Sequence, residues 1–312
     1  MSSNIVSVII PTYNRADTVE RSIKSVLGQS YRPIEVIVVD DGSTDHTAEV
    51  LATFGESIRV IRQENRGPSA ARNAGVAASI GKIIAFLDSD DTWESDKLER
   101  QVRLLERGGR EVVCCVCNAE LISAGGTSQT SFGVAKVLSH LNEGYWINPA
   151  PVLASRFILF NQVVAIRKEA FERVGGFKEH MRLLEDHDLA FRLALLGPWA
   201  FISDPLVRKY NDDDGVGVQA MGAALIHAKA WEQAYKGYLK ESLSSHGDVM
   251  KTVKRMTKNA AIEIRGVEMV ESSQPASRAI GRMILATLRV RVALWRRRGS
   301  WPRVIAVPAM TV

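Results

Sequence analysis

The sequence has few cysteines and no long apolar run. Its only cysteines, Cys114, Cys115 and Cys117, lie together in one apolar segment. Because no further cysteine or histidine stands at ligand spacing, we predict that they are reduced, buried strand residues. No stretch reaches the roughly 18 apolar residues of a spanning helix, and the first residues lack the basic region of a signal peptide. We therefore expect no membrane span, no leader and a cytoplasmic location.

Acidic residues are absent from the last part of the chain. From residue 272 onward there are eight arginines and no aspartate or glutamate. The whole chain of 312 residues has a formal net charge of +5, so the rest carries about −3 (5 − 8). The basicity belongs to this terminal segment, and aromatic residues are sparse within it. We therefore expect no nucleic-acid partner.

A glycine-rich turn is absent after the first predicted strand. Residues 5–10, "IVSVII", form a short apolar run rich in β-branched residues that ends at Pro11, which is typical of a buried strand. A dinucleotide-dependent oxidoreductase would have G-x-G-x-x-G after this strand. The chain has Pro11 and Tyr13 there instead, which excludes that class.

The sequence does contain a regular alternation of strand and helix patterns. Asp17 and Glu20 have the spacing of a capping box at the start of the first helix, and Gly28 is a plausible end. Further strands are predicted at 34–39, 57–63, 82–87 and 111–117, and further helices at 44–54, 68–79 and 95–107. Short connections between such elements predict an α/β fold with a Rossmann-like, mostly parallel sheet flanked by helices. In that architecture, ligands bind at the carboxyl ends of the strands.

Three polar clusters follow predicted strands, at residues 11–14, 40–45 and 88–91. Several carboxylates at one sheet edge repel each other unless a cation or hydrogen-bond donors balance them. Mg²⁺ and Mn²⁺ prefer oxygen ligands, and Mg²⁺ is often held by one or two carboxylates and substrate phosphates. The pattern predicts such a metal at Asp88, Asp90 and Asp91. For Asp91 a second interpretation stays open, in which it caps the helix that follows.

Five segments resemble the inverting glycosyltransferases of family 2, in order and in spacing. They read "VSVIIPTYNR", "VIVVDDGSTDHT", "NRGPSAARNAG", "IIAFLDSDD" and "LLEDHDLAFRLAL", and together they span roughly residues 5–210. The resemblance implies the GT-A fold and a nucleotide-activated sugar as donor, commonly a UDP-sugar. It also implies Mn²⁺ or Mg²⁺ as the cofactor.

The resemblance also implies site residues. Those that match nucleotide-sugar-binding positions are Pro11, Thr12, Tyr13, Asp40, Asp41, Asn65, Arg66, Gly67, Arg72, Asp88 and Ser89. Asp90 matches the direct metal ligand, Asp88 a residue that touches ribose or a metal-bound water, and Asp91 a second ligand.

The reaction also needs a base, because the acceptor hydroxyl loses its proton as it attacks. Segment 183–197 places Glu185 and Asp186 at a predicted helix start. The resemblance implies that Asp186 is the base and that Glu185 orients the acceptor. On the pattern alone, a second interpretation stays open, in which both acids only interact favourably with the positive helix N-terminus. The neighbouring His187 is predicted to be a surface residue.

One segment departs from the family pattern. Many relatives carry a histidine in a basic stretch after the base helix, but residues 205–217 contain none. Asp212 is predicted to stand near that position, and Arg208 and Lys209 to reach the diphosphate. The missing histidine is the main support for an alternative function, that of a catalytically inactive sugar-nucleotide-binding or scaffold protein, whereas the presence of the base and of the metal-binding acids argues against it.

The acceptor is expected to bind at the irregular segment between residues 120 and 160. Tyr145, Trp146 and Trp199 are candidates for stacking on sugar faces, with a place in the core as the alternative. We expect a glycan or lipid-linked acceptor in the synthesis of surface polysaccharide or glycolipid.

The chain is predicted to divide into a glycosyltransferase domain, residues 1–215, and a helical C-terminal extension, residues 216–312. In the extension, residues 278–298 place arginines on one helical face and apolar residues with Trp295 on another. Such a helix suits an anionic membrane surface, which would put the protein at the inner face of the membrane. Packing on the catalytic domain or on a partner subunit explains the pattern equally well.

Overall fold

The computed structural model describes residues 4–123, 128–135, 137, 141–153, 160–181 and 185–211, together with residues 254, 258, 306 and 307. The basic segment and Asp212 lie outside these residues. Of the predicted extension, only residues 254, 258, 306 and 307 are described. The division at residue 215 therefore stays a prediction. No helix within the described residues is long and apolar enough to cross a membrane.

Strands and helices alternate through the first half of the chain. The strands are β1 (Val6–Thr12), β2 (Ile34–Asp40), β3 (Arg59–Arg62), β4 (Ile83–Phe86), β5 (Thr92–Trp93), β6 (Cys114–Ser123), β7 (Ser128–Thr130), β8 (Glu143–Trp146), β9 (Val164–Arg167), β10 (Trp199–Asn211) and β11 (Ala306–Val307). The α-helices are α1 (Val19–Leu27), α2 (Thr47–Ala52), α3 (Pro68–Ala78), α4 (Lys97–Arg107), α5 (Ser131–Ala135), α6 (Ala150–Leu153), α7 (Lys168–Arg173) and α8 (Glu185–Ala194). Two 3₁₀ turns cover Gly55–Ser57 and Asn161–Val163.

The strands form one sheet in the order β11-β8-β10-β6-β9-β4-β1-β2-β3, with β5 paired to β10 and β7 to β6. The two longest ladders, β1 with β2 and β6 with β10, are parallel, as are β1 with β4 and β2 with β3. Between the two parallel groups, β9 pairs antiparallel with both β4 and β6. The mixed α/β class is confirmed, and the joining strand β9 is a feature that the sequence pattern did not reveal.

The core lies on both faces of the sheet. All residues of β1 and β4 are buried, which is why these segments read as continuous apolar runs. Cys114, Cys115 and Cys117 are free and buried in β6, as predicted. Burial raises the pKa of Cys117 to about 11, so its thiol stays protonated and unreactive.

The predicted capping box of α1 is wrong. The helix begins at Val19 after Thr18, and no side chain caps it. The carbonyl oxygen of Arg15 instead accepts bonds from the amides of Thr18 (3.1 Å) and Val19 (3.0 Å). A backbone turn thus satisfies amides at the start of the helix without a side-chain cap. The predicted end at Gly28 is confirmed, since its amide donates to the carbonyl of Lys24 at 2.9 Å.

The three candidate sugar-stacking aromatics belong to the core. Tyr145, Trp146 and Trp199 are 1, 2 and 0 % exposed. The two indole rings lie 6.4 Å apart because β8 pairs with β10 at these residues. The hydroxyl of Tyr145 donates to the carbonyl of Leu104 at 3.0 Å. The core alternative is therefore correct, and these rings offer no face to a ligand.

Candidate functional site

The candidate site lies where three parallel neighbours end. β1 ends at Thr12, β2 at Asp40, and β4 is followed closely by Asp88. The carboxyl ends of parallel strands meet at one edge of a sheet, where α/β folds bind ligands. The structure therefore brings together the three polar clusters that the sequence singled out.

Asp41 fixes the loop that leads into α3. Its carboxylate accepts bonds from Gln63 Nε2 (2.7 Å) and from the amides of Arg66 (3.0 Å) and Gly67 (2.8 Å). Gly67 has a φ of +90°, a conformation that favours glycine, and Pro68 then begins the helix. The predicted donor segment around residues 65–67 is thus tied directly to the end of β2.

The loop after β1 is held against the turn after β2. Asp40 Oδ1 accepts the amide of Ser43 at 2.9 Å, and the amide of Asn14 donates to Ser43 Oγ at 3.0 Å. Pro11, Thr12 and Ser89 are buried, and Tyr13, Asn65 and Arg66 are exposed. Tyr13 is 45 % exposed, so its ring is accessible to a ligand at this edge of the sheet.

Arg72 joins the donor edge to α8. It is buried on α3, and its guanidinium donates to Asp88 Oδ1 at 2.8 Å and to Glu185 Oε1 at 3.3 Å. Burial alone would raise the pKa of Asp88, but the charges of Arg72, Lys209 and Arg15, together with the hydrogen bond from Arg72, lower that pKa. Helix α3, the loop after β4 and the start of α8 therefore meet at one guanidinium.

Gln162 holds the other oxygen of Asp88 and was missed by the sequence analysis. Its Nε2 donates to Asp88 Oδ2. Gln162 is buried in the 3₁₀ turn, and its backbone carbonyl accepts Trp93 Nε1 at 3.0 Å. No sequence signal marked it, because it lies in an irregular segment without a motif. Both carboxylate oxygens of Asp88 are thus engaged by side chains.

Asp88, Asp90 and Asp91 form the acid trio. Each offers one carboxylate oxygen, and these oxygens lie within 4.8 Å of one another. Burial, followed by the charge of Asp88, raises the pKa of Asp90. Burial also raises that of Asp91 to about 7, and Asp88 and Asp90 add to the effect. Repulsion between the carboxylates opposes the simultaneous ionisation of all three acids. A bound cation would relieve this repulsion, and the all-oxygen donor set fits a hard divalent cation such as Mn²⁺ or Mg²⁺.

The helix-capping interpretation of Asp91 is wrong. α4 begins six residues later, at Lys97, with Asp96 at its N-cap position. Asp91 instead accepts the amide of Tyr210 at 3.1 Å and lies 3.4 Å from Lys209 Nζ. It is fully buried, and its partners come from β10 rather than from the following helix.

Basic side chains border the acid trio. Arg15 lies 3.7 Å from Asp90 Oδ2, and Arg21 donates to the carbonyl of Asp90 at 2.5 Å. Lys209 was anticipated, whereas Arg15 and Arg21 were not. The prediction that Arg208 reaches the diphosphate is not supported, because its guanidinium pairs with Glu94 (3.2 Å) and Glu120 (3.6 Å). Successive strand residues point to opposite faces, so Arg208 and Lys209 diverge.

Glu185 and Asp186 begin α8, as predicted. Burial raises the pKa of Asp186 to about 7, and the charge of Glu185 adds to this. A carboxylate with such a pKa can accept a proton near neutral pH.

His187 is 1 % exposed, so its predicted surface position is wrong. The helix is buried from His187 onward, and burial lowers the pKa of His187 to about 4, which keeps the ring neutral.

Replacing Arg72 by methionine should destabilise the fold by about 3–5 kcal/mol, because Asp88 and Glu185 would lose their shared buried cation. The free energy of unfolding in urea measures this effect. Arg103→Met is the matched control, since that arginine also pairs with a carboxylate, Glu143, but is half-exposed. Exposed pairs contribute at most about 1 kcal/mol. An equal loss in both variants would show that Arg72 does not hold the site together.

Comparison with protein families identifies one match. The model of the family described as "Glycosyl transferase family 2" matches residues 7–171. A curated relative from Rickettsia prowazekii, "Uncharacterized glycosyltransferase RP339", is 30% identical over 239 residues, which cover 77% of this chain and 73% of the relative. "Succinoglycan biosynthesis protein ExoO" of Rhizobium meliloti is 40% identical over 134 residues, 42% of this chain and 38% of that protein.

Two solved structures share the fold. S. aureus TarS 1-349 in complex with UDP-GlcNAc superposes with a TM-score of 0.64 at 17% identity and covers 96% of this chain and 93% of its own. Mannosyltransferase PcManGT from Pyrobaculum calidifontis, in complex with GDP-Man and Mn²⁺, gives a TM-score of 0.55 at 21% identity, with 93% and 82% covered. These similarities confirm the GT-A fold predicted from the sequence.

Proposed function

Since this chain belongs to glycosyl transferase family 2, we propose that it transfers a sugar from a nucleotide-activated donor to an acceptor hydroxyl with inversion at the anomeric carbon. The observation that carries this proposal is the position of Arg72. It contacts Asp88 at the donor edge and Glu185 beside Asp186. A cluster suited to a nucleoside diphosphate and a candidate base are thereby joined through one side chain.

The donor is proposed to bind across the ends of β1, β2 and β4. Tyr13 and the turn of Asp40 and Asp41 would border the nucleobase and ribose. The backbone of residues 65–67 would approach the sugar-nucleotide closely, as small residues allow. The binding of UDP-GlcNAc by TarS, which has the same fold, supports a UDP-sugar as the first candidate.

The divalent cation is proposed to bind to Asp90 and Asp91, with Asp88 beside them. When bound, it would supply positive charge that stabilises the leaving diphosphate. Asp88 has both oxygens engaged by Arg72 and Gln162. Its proposed task is therefore to align the site through a ribose or a metal-bound water.

Asp186 is proposed to accept the proton of the acceptor hydroxyl. Its pKa of about 7 matches a general base that works near neutral pH. In-line attack from the side of Asp186, opposite to the leaving diphosphate, would invert the anomeric configuration. Glu185 would then act on the acceptor as an orienting group while it holds Arg72.

The acceptor is proposed to be a glycan or a lipid-linked precursor in the synthesis of a surface polysaccharide or glycolipid. ExoO, a relative over part of the chain, is a succinoglycan biosynthesis protein, which favours a polysaccharide. The basic segment 278–298 remains a proposed contact with an anionic membrane surface, and peripheral attachment at the inner membrane face follows from it.

Calorimetric titration with UDP, GDP and dTDP, each with Mn²⁺ and with EDTA, tests the donor site. We expect one nucleotide, UDP first, to bind in the presence of Mn²⁺ and much more weakly in EDTA. The corresponding sugar-nucleotide should then be turned over with acceptor glycans. Nucleotide binding without turnover of any sugar donor would favour the inactive-scaffold alternative, and no nucleotide binding would exclude both functions.

A further inference from the structure

Lys209 occupies an unusual position beside the acid trio. It lies on β10, and its ammonium is 3.4 Å from Asp91 Oδ2. Asp91 is fully buried, and the side chain of Lys209 is 26 % exposed. The adjacent Tyr210 fixes the other oxygen of Asp91 with its amide at 3.1 Å. The backbone therefore binds one oxygen of the carboxylate, and the lysine contacts the other.

Two other cations near the trio, Arg72 and Arg21, are less free to move. Arg72 is bound to Asp88 and Glu185. Arg21 donates to the carbonyl of Asp90 and stacks over the ring of Tyr210, 4.3 Å from its centroid. Lysine is a flexible four-carbon chain with a single charged end, so Lys209 can swing toward the solvent-exposed part of the site.

A lysine and a divalent cation compete for the same oxygen. A metal bonded to a carboxylate lies about 2 Å from it. The ammonium in its present position would be a near neighbour of that ion, and the two positive charges would repel each other strongly in this half-buried site. The diphosphate of a bound nucleotide offers the displaced ammonium new anionic partners.

We propose that Lys209 is an exchangeable counter-ion, which pairs with Asp91 before a divalent cation binds and moves to the donor diphosphate when the cation takes its place. This inference rests on the proposed function. The exchange predicts that metal alone binds weakly, because it must displace the ammonium of Lys209 from Asp91. Metal and nucleotide should strengthen each other's binding, because the displaced ammonium gains the diphosphate as its partner. Such coupling is reciprocal.

Titration of the full chain with Mn²⁺ alone tests the exchange, with calorimetry as the readout. We expect Lys209→Met to bind Mn²⁺ at least about tenfold more tightly than the wild type, because a competing unit charge has been removed. The addition of UDP should strengthen Mn²⁺ binding less in this variant than in the wild type. Lys209→Arg keeps the charge and should bind Mn²⁺ as weakly as the wild type.

Arg208→Met is the matched control. Arg208 is adjacent on β10, but it pairs with Glu94 and Glu120 rather than with the trio. Its Mn²⁺ affinity should equal that of the wild type. The thermal midpoints of all variants establish that they are folded, and Lys209→Gln replaces the methionine variant if that variant is not.

The outcomes separate the two proposals. Equal or weaker Mn²⁺ binding by a folded Lys209→Met variant would overturn the exchange and leave the donor site standing, provided that the wild type still binds Mn²⁺ with UDP. If neither protein binds Mn²⁺ even with UDP, the metal site itself is wrong, and the inference fails with it. A tighter binding in Lys209→Met alone, with Arg208→Met unchanged, supports the exchange.

Discussion

Asp186→Asn should lower kcat for sugar transfer by about 10²–10⁴-fold, the usual contribution of a general base. The asparagine keeps the shape of the side chain but cannot accept the acceptor proton. Nucleotide affinity should change little, because the hydrogen bonds that Arg72 donates go to Asp88 and Glu185 and not to Asp186. The measurement is steady-state turnover with a sugar-nucleotide donor, together with calorimetric binding of the nucleotide to the same variant.

The pH profile gives this prediction a second, independent readout. Burial and the charge of Glu185 raise the pKa of Asp186 to about 7. The base acts when deprotonated, so kcat of the wild type should rise as the pH increases through this value and level off above it. In Asp186→Asn the remaining activity should lack that rise.

A matched control is Asp204→Asn, which removes an acid that pairs with Arg100 and lies outside the site. It should leave both kcat and the pH profile as in the wild type. Full turnover in Asp186→Asn, with the pH profile unaltered, would show that another group accepts the proton. The proposed mechanism would then be wrong, although the donor site would not be affected.

Asp90→Asn should abolish the dependence of nucleotide binding on metal. Loss of an outer contact to a metal ligand costs 10- to 100-fold in affinity or activity, so loss of a direct ligand should cost at least about 100-fold. Asp90 is the appropriate member of the trio for this test. Asp88 also anchors Arg72, and Asp91 also binds the backbone of Tyr210, so their replacement would disturb the fold.

Calorimetry with UDP and Mn²⁺ measures the loss, and the same titration in EDTA provides the reference. Affinity in EDTA should match that of the wild type, since no metal contributes there. Asp96→Asn is the control, because Asp96 is a nearby acid with a half-exposed side chain that pairs with Arg100 and not with the trio. Retained Mn²⁺-dependent binding in Asp90→Asn would remove Asp90 from the metal site.

The sequence alone predicted the parallel half of the sheet well. Strands β1 and β4 are buried throughout and β2 is buried from Val36 onward, so each appears as a mostly apolar run, followed closely by proline or aspartate. Because parallel strands share one carboxyl edge, the polar clusters after them could be placed together without a structure. The grouping of the acid trio follows from this geometry.

The remaining contacts of the site depend on long-range packing, which local patterns do not contain. Gln162 reaches Asp88 across 74 positions of sequence, and Lys209 reaches Asp91 across 118. His187 is buried because α8 packs on all sides, which the polar sequence "EDHD" at its start conceals. Motif spacing identified acids and a base, and it did not identify the side chains that hold them.

The position of β9 between β4 and β6 affects how the nascent chain folds during synthesis. When the ribosome has released β6, the strand that must bridge it to β4 has not yet been made, because β9 covers Val164–Arg167. Until then β4 and β6 each have an unpaired edge, which is the kind of edge that captures other chains. A nascent chain that stalls in this interval, or a fragment cut within it, should therefore depend on chaperones to stay in solution.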